Sequence, residues 1–342
     1  MKNLLRYVAT AAAIIVVTLV IYRLTSPTTV RRAAFDIGSG TIKYKVADVD
    51  PHTNEIVRVI AQGRRKADFK ESIAQTPDKS ISSAVAAEGA NCLREFLAEA
   101  RKQGATEFAA VGTQAFRQAS NGMDYFMRLH EDLGIPATVL THKQQAKLAF
   151  LAAQQHSHIP IETLVVWDIG AASMELVMKK TFGDYEAYLG ELASVSFKNH
   201  IIKNVQGKSV GNTQSPNPIS KDDMQKALVH AASFARNTVP RAIRERLHQS
   251  DVRVVGIGPV HAISIAGQAG KKRNEVYTRD DVRTALNRRV GMTDAEVGGS
   301  YANVQISNLI LVLGFMDGLG INAVIPARIN LADGLLVADQ LW

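Results

Sequence analysis

The chain has 342 residues, of which 46% are hydrophobic and 21% charged; that length exceeds one ordinary hydrophobic core and predicts two globular units, and the apolar content excludes a disordered chain. Its 40 Lys and Arg against 32 Asp and Glu leave a formal net charge of +8, which suits an anionic ligand or surface. The basic clusters Arg64-Arg65-Lys66 and Lys271-Lys272-Arg273 are too brief to mark a nucleic-acid track, and one cysteine, Cys92, excludes both an internal disulfide and a thiolate metal cluster.

At the N-terminus, Val8 to Tyr22 run without a charge between Arg6 and Arg23. Counted from Leu4 to Leu24, with the two arginines snorkelling, this stretch is long enough to span a bilayer. No small-x-small cleavage site closes it before Arg23, so an uncleaved signal anchor is expected. Lys2 and Arg6 on one flank balance Arg23, Arg31 and Arg32 on the other and set no orientation. That balance leaves the side of the membrane open, with the soluble part in the periplasm or in the cytoplasm. The expected division is an anchor and linker over 1–32, a first lobe over 33–158 and a second over 159–342.

After the linker, Ala33 to Phe35 form an apolar run ending at Asp36, and Ile42, Tyr44 and Val46 alternate with Lys43 and Lys45, which predicts a hairpin around Gly38-Ser39-Gly40. Ile56 to Ile60 predict a third strand, Ala84 to Lys102 a helix ended by Gly104, and Phe108 to Val111 a strand. Cys92, Leu93, Phe96 and Leu97 mark the buried side of that helix. Met123 to Leu133 read as a helix stopped by Gly134, and Ala137 to Leu140 as a strand. The pattern restarts about 130 residues later, where Thr163 to Asp168 again run into Asp-Ile-Gly and Met174 to Met178 follow, as an internal duplication would.

Asn204 to Pro218 are rich in Gly, Ser, Asn and Pro and predict an exposed loop. Ser220 with Asp223 opens a long helix, Val252 to Ile257 form a strand running into Gly258, and Thr278 and Thr293 start further helices. Gln305, Asn308 and Asp317 interrupt Ala302 to Leu319, which is therefore expected to be a core helix and not a second membrane span.

A strand ending in Asp, then a glycine turn, then Ser or Thr, is suited to phosphate. Glycine lets the backbone approach the anion, consecutive amides point at its oxygens, and the aspartate can hold hydrated magnesium. Asp36-Ile37-Gly38-Ser39-Gly40-Thr41 meets each requirement, and Asp168-Ile169-Gly170 repeats its opening. One such turn serves equally well as a tight hairpin; two in register favour a ligand site. His142 and His261 have no partners at metal-ligand spacing and are expected at the surface or in the cleft.

Taken in order, Asp36 to Val46, Gly112 to Gly122, Val165 to Val177, Val254 to Ala262 and Gly314 to Leu336 resemble the exopolyphosphatase and guanosine pentaphosphate phosphohydrolase family. The resemblance implies an α/β fold of two duplicated lobes, actin-like and sugar-kinase-like (ribonuclease H-like), with a cleft between them. It implies magnesium-dependent hydrolysis of a terminal phosphoanhydride of polyphosphate or guanosine pentaphosphate. Carried over by position, Gly38, Ser39, Gly40 and Thr41 and then Gly170, Ala171, Ala172 and Ser173 are the two phosphate loops, and Gly258 belongs to a third. Asp168 and Asp36 become the magnesium residues, Glu175 an acidic catalytic partner and Arg117 a phosphate contact.

This chain departs from the family pattern at three places. Gln144 and Gln145 stand where the family has paired glutamates supplying the general base, and a neutral amide cannot accept a proton from water. Ala171 and Ala172 replace loop glycines, and Pro259-Val260 replace Gly-Thr, removing an amide donor and a hydroxyl. Impaired or altered hydrolysis is the leading expectation. A non-catalytic member of the family binding a phosphorylated ligand or a protein at the membrane is the alternative, and an actin-like ATPase or sugar kinase explains the Arg117 segment less well. Expected partners are polyphosphate or guanosine pentaphosphate, the membrane through the N-terminal helix, and a second copy of the chain as a homodimer; no nucleic acid is expected.

Overall fold

The computed structural model describes residues 29–171, 173–182, 184–339 and 342. The expected anchor over 4–24 and the phosphate-loop residue Ala172 lie outside them. The first lobe is built from β1 (Val30–Ile37), β2 (Thr41–Asp50), β3 (Glu55–Lys66), α1 (Phe69–Gln75), α2 (Ser83–Lys102), β4 (Glu107–Gly112), α3 (Gln114–Gln118), α4 (Gly122–Leu133) and β5 (Ala137–Val139). Its sheet has the order β3-β2-β1-β4-β5, with β1 antiparallel to β2 and parallel to β4. β1 begins at Val30 and not at Ala33, and β3 extends through Arg64-Arg65-Lys66, so that basic cluster decorates an edge strand.

Helix α5 (His142–Ser157) leads to a second sheet made from β6 (Leu164–Ile169), β7 (Met174–Lys179), β8 (Tyr185–Gly190), β9 (Arg253–Ile257), the short β10 (Tyr277–Thr278) and β11 (Ala323–Pro326). Between these strands run α6 (Ser194–His200), α7 (Lys221–Thr238), α8 (Arg241–Leu247), α9 (Arg279–Arg289), α10 (Asp294–Val297) and α11 (Ala302–Leu319), and α12 (Leu331–Leu336) closes the chain. The order β10-β11-β9-β6-β7-β8 repeats the first sheet: β6 is antiparallel to β7 and parallel to β9, as β1 is to β2 and β4. The duplication visible in the two Asp-Ile-Gly turns is therefore a duplication of whole sheets.

Local chemistry sets the element ends. Ser82, Ser220, Thr278 and Thr293 each accept a hydrogen bond from a first-turn amide, and Gly134 ends α4 in the left-handed region at φ 64°. α11 lies in the second lobe's core, in line with its reading as a core helix, and Cys92 is buried in the first.

A third core joins the lobes. Residues of α5 and α12 pack together with Ala34, Val49 and Val111 of the first sheet and Val166, Val177 and Val255 of the second. The C-terminal helix thus returns to the first lobe: Asp333 receives the buried ammonium of Lys45 from β2, and Arg32 of β1 donates to the Leu336 carbonyl at 3.0 Å. Gly334 lets α12 touch α5 so closely that a Cβ there would lie 1.9 Å from the Leu148 carbonyl oxygen.

Candidate active site

The two Asp-Ile-Gly turns share one construction. Gly38 N–H donates to the Thr41 carbonyl at 3.0 Å, and Gly170 N–H donates to the Ser173 carbonyl at 2.9 Å. The segment after each hairpin then ties the turn back. Ala67 and Lys70 amides bond the Gly40 and Ser39 carbonyls, while Ser194 and Val195 amides bond those of Gly170 and Ala171. With their carbonyls so engaged, the Ser39, Gly40 and Ala171 amides have no partner among the described residues and are free to meet an anion. Thr41 turns its hydroxyl onto the Gly40 carbonyl at 2.7 Å. Ser173 is buried beneath the second turn.

Hairpin register also places one charged residue opposite each aspartate: Lys43 faces Asp36, and Glu175 faces Asp168. Lys43 Nζ donates to Asp36 Oδ2 at 3.0 Å, so Asp36 already has a cation. The charge of Asp36, joined by that of Asp168, raises the Lys43 pKa against the effect of burial, which brings Lys43 and Asp168 into electrostatic reach across the lobes. Asp168 has no such direct partner among the described residues. Burial first, then Glu175 and Asp36, push its carboxyl up to about 7 against the pull of Lys43. Lys43 was not among the sequence candidates, although its place seven residues after Asp36 matches that of Glu175 after Asp168.

Glu175 is 1% exposed and forms the floor of a cluster. Its Oε1 takes the side-chain amide of Gln145 at 3.4 Å and the Nε2 of His142. Arg117, on α3, donates through one nitrogen to Gln145 Oε1 at 3.1 Å and to the Leu140 carbonyl at 2.8 Å. Burial lowers the Arg117 pKa while Glu175 opposes the shift. Gly258 completes the wall: at φ +81°, its backbone approaches so closely that a Cβ would lie 2.5 Å from Asp168 Oδ1. Pro259 beside it is exposed.

The glutamine pair separates. Gln144 is the third residue of α5, where its Oε1 accepts the Thr141 amide at 2.8 Å and Thr141 Oγ1 accepts the Gln144 amide at 3.2 Å. That capping box removes Gln144 from the site and leaves Gln145 alone in the place of the glutamate pair. Thr141-x-x-Gln144 is itself a helix-start signal, and it could have located α5. The histidines separate too. His142 sits in the site, whereas His261, expected at the surface or in the cleft, is fully buried in the second core, edge-on to Trp167 and 2.5 Å from the Tyr277 hydroxyl. It packs against the Trp167 and Tyr277 rings and hydrogen-bonds the Tyr277 hydroxyl, so its role is in the core.

Two duplicated α/β lobes with paired Asp-Ile-Gly turns facing one cluster define the two-lobed class of fold that phosphate-handling enzymes use. Similar folds include an Aquifex aeolicus Ppx/GppA phosphatase (17% identity, TM-score 0.71, covering 91% of this chain and 100% of that one) and an exopolyphosphatase from Cytophaga hutchinsonii (15%, 0.65, 90% and 96%). A nucleoside triphosphate hydrolase from Neospora caninum is also similar (12%, 0.57, 97% and 96%). The family model of the Ppx/GppA phosphatases matches residues 45–340, and the chain belongs to that family.

Proposed function

We propose that this protein hydrolyses the terminal phosphoanhydride of polyphosphate or guanosine pentaphosphate in the cleft between its lobes. The observation that carries the reading is the convergence of Asp168, Glu175, Arg117 and Lys43 beside two turns with free amides. The amides of Ser39, Gly40 and Ala171 hold the phosphate chain, and Lys43 and Arg117 balance its charge. Glu175 anchors the polar cluster where water attacks.

Magnesium fits this donor set at Asp168. Asp168 would supply one carboxylate and leave the remaining positions to water and phosphate oxygens, as magnesium prefers; no group of three His, Cys, Asp or Glu converges among the described residues. Burial first, and then the charges of Glu175 and Asp36, disfavour an ionised Asp168, and a bound cation would offset both. Asp36, already paired with Lys43, is the weaker candidate. When bound, the ion would polarise the phosphoryl group and neutralise the leaving phosphate.

A second reading is favoured by Gln145, whose amide is held by Arg117 and Glu175 and cannot take a proton: a protein that binds the phosphate chain without cleaving it. Phosphate release from polyphosphate and from guanosine pentaphosphate, measured beside binding of the same ligands, separates the two. Hydrolysis predicts magnesium-dependent release that Asp168→Asn removes; binding without release supports the second reading. The N-terminal segment is proposed to anchor the protein in a membrane, and the intact mass of membrane-associated protein tests this, since a mature chain starting beyond Tyr22 would refute it.

A further inference from the structure

A water that attacks phosphorus must shed a proton, and Gln145 cannot take it. One turn earlier on the same face of α5 is His142, three residues away and directed at the same acceptor. Its Nε2 meets Glu175 Oε1, the oxygen that also takes the Gln145 amide. A neutral imidazole that donates from Nε2 to a carboxylate carries its lone pair on Nδ1, free to accept. Between the two titratable groups, exposure decides which one can meet water: the Glu175 side chain is 2% exposed and the His142 side chain 26%. Glu175 can therefore orient and stabilise the ring, while the ring is partly open to solvent. The same division of labour between a buried carboxylate and a histidine operates in Ser-His-Asp triads.

We propose that His142, oriented by Glu175, is the proton acceptor of the reaction, in place of the carboxylate missing at position 145. The inference rests on the hydrolase reading above. Water oxygen bonds to the terminal phosphorus as one of its protons passes to His142 Nδ1. The bond from that phosphorus to the bridging oxygen breaks, and its electron pair stays on the bridging oxygen. The imidazolium then returns its proton to that oxygen or to solvent. One phosphate and one shortened chain result, and no oxidant, reductant or further reactant is consumed.

The test uses the full chain with polyphosphate and compares the parent, His142→Gln and His142→Ala in phosphate release and in equilibrium binding. His142→Gln keeps an amide donor for Glu175 and loses the acceptor. It is expected to lower kcat by about 10²- to 10⁴-fold while binding stays within roughly threefold. His142→Ala opens space at a partly exposed position, and added imidazole is expected to restore its turnover by at least about tenfold, which a packing role would not allow. Turnover of His142→Gln within about threefold of the parent, a loss confined to binding, or no response to imidazole would each overturn the assignment. A parent that binds polyphosphate and releases no phosphate would sink the hydrolase reading and this inference together, whereas an active parent with an active His142→Gln sinks the inference alone.

Discussion

Restoring the carboxylate at position 145 should change how much the enzyme depends on His142. Gln145 Oε1 lies 3.1 Å from the Arg117 guanidinium, and its amide nitrogen lies 3.4 Å from Glu175 Oε1. Gln145→Glu would set an ionised group between the two. At an effective dielectric of about 20, the attraction to Arg117 and the repulsion from Glu175 are each roughly 5 kcal/mol and nearly cancel. With those two interactions offset, burial raises the pKa of the new carboxylate towards the range in which a carboxylate serves as general base. The new carboxylate offers a second proton acceptor beside His142, so turnover depends less on the ring. In a double-mutant cycle, His142→Gln is expected to cost about 10²- to 10⁴-fold in kcat in the parent and less than about tenfold beside Gln145→Glu. The assay is steady-state phosphate release from polyphosphate at fixed magnesium, with binding measured on all four proteins. Equal penalties in the two backgrounds would refute the reasoning. So would a gain above about 100-fold from Gln145→Glu alone, which would mean that the parent has no working base.

Gly334→Ala is expected to destabilise the protein by about 2–4 kcal/mol, because the new methyl group meets the Leu148 backbone and forces α12 off α5; a change in urea-unfolding free energy below about 0.5 kcal/mol would contradict that packing. Burial holds His261 neutral, with its pKa pulled from 6.5 to about 3. The unfolded chain then binds a proton below pH 6.5 that the folded chain refuses until about 3, so this stability is present above pH 6.5 and lost progressively as pH falls towards 3. The limiting slope is about 1.4 kcal/mol per pH unit. His261→Gln should flatten the fall in stability between about pH 6 and pH 4, and an unchanged slope would show that His261 titrates normally in the fold.

Local signals made much of this protein readable from sequence. The two Asp-Ile-Gly turns, the alternating strands beside them, the capped starts at Ser220, Thr278 and Thr293, and the polar interruptions of α11 all reflect interactions within one or two turns of chain. So do the register pairs Asp36 with Lys43 and Asp168 with Glu175, because an antiparallel hairpin of given turn length fixes its partners. Sequence also determined that a neutral amide stands at position 145. Other features depend on contacts between distant segments, whose geometry no local pattern encodes. Only the packing of α5 against β7 brings His142 and Gln145 onto Glu175, and only the facing of the lobes puts Lys43 within reach of Asp168. Likewise the return of α12 to the first sheet is set by its buried ion pair with Lys45 and by a close glycine crossing at Gly334. The charge available at the site was thus written in the chain, while the group placed to take a proton was decided by which side chains the fold leaves open to water.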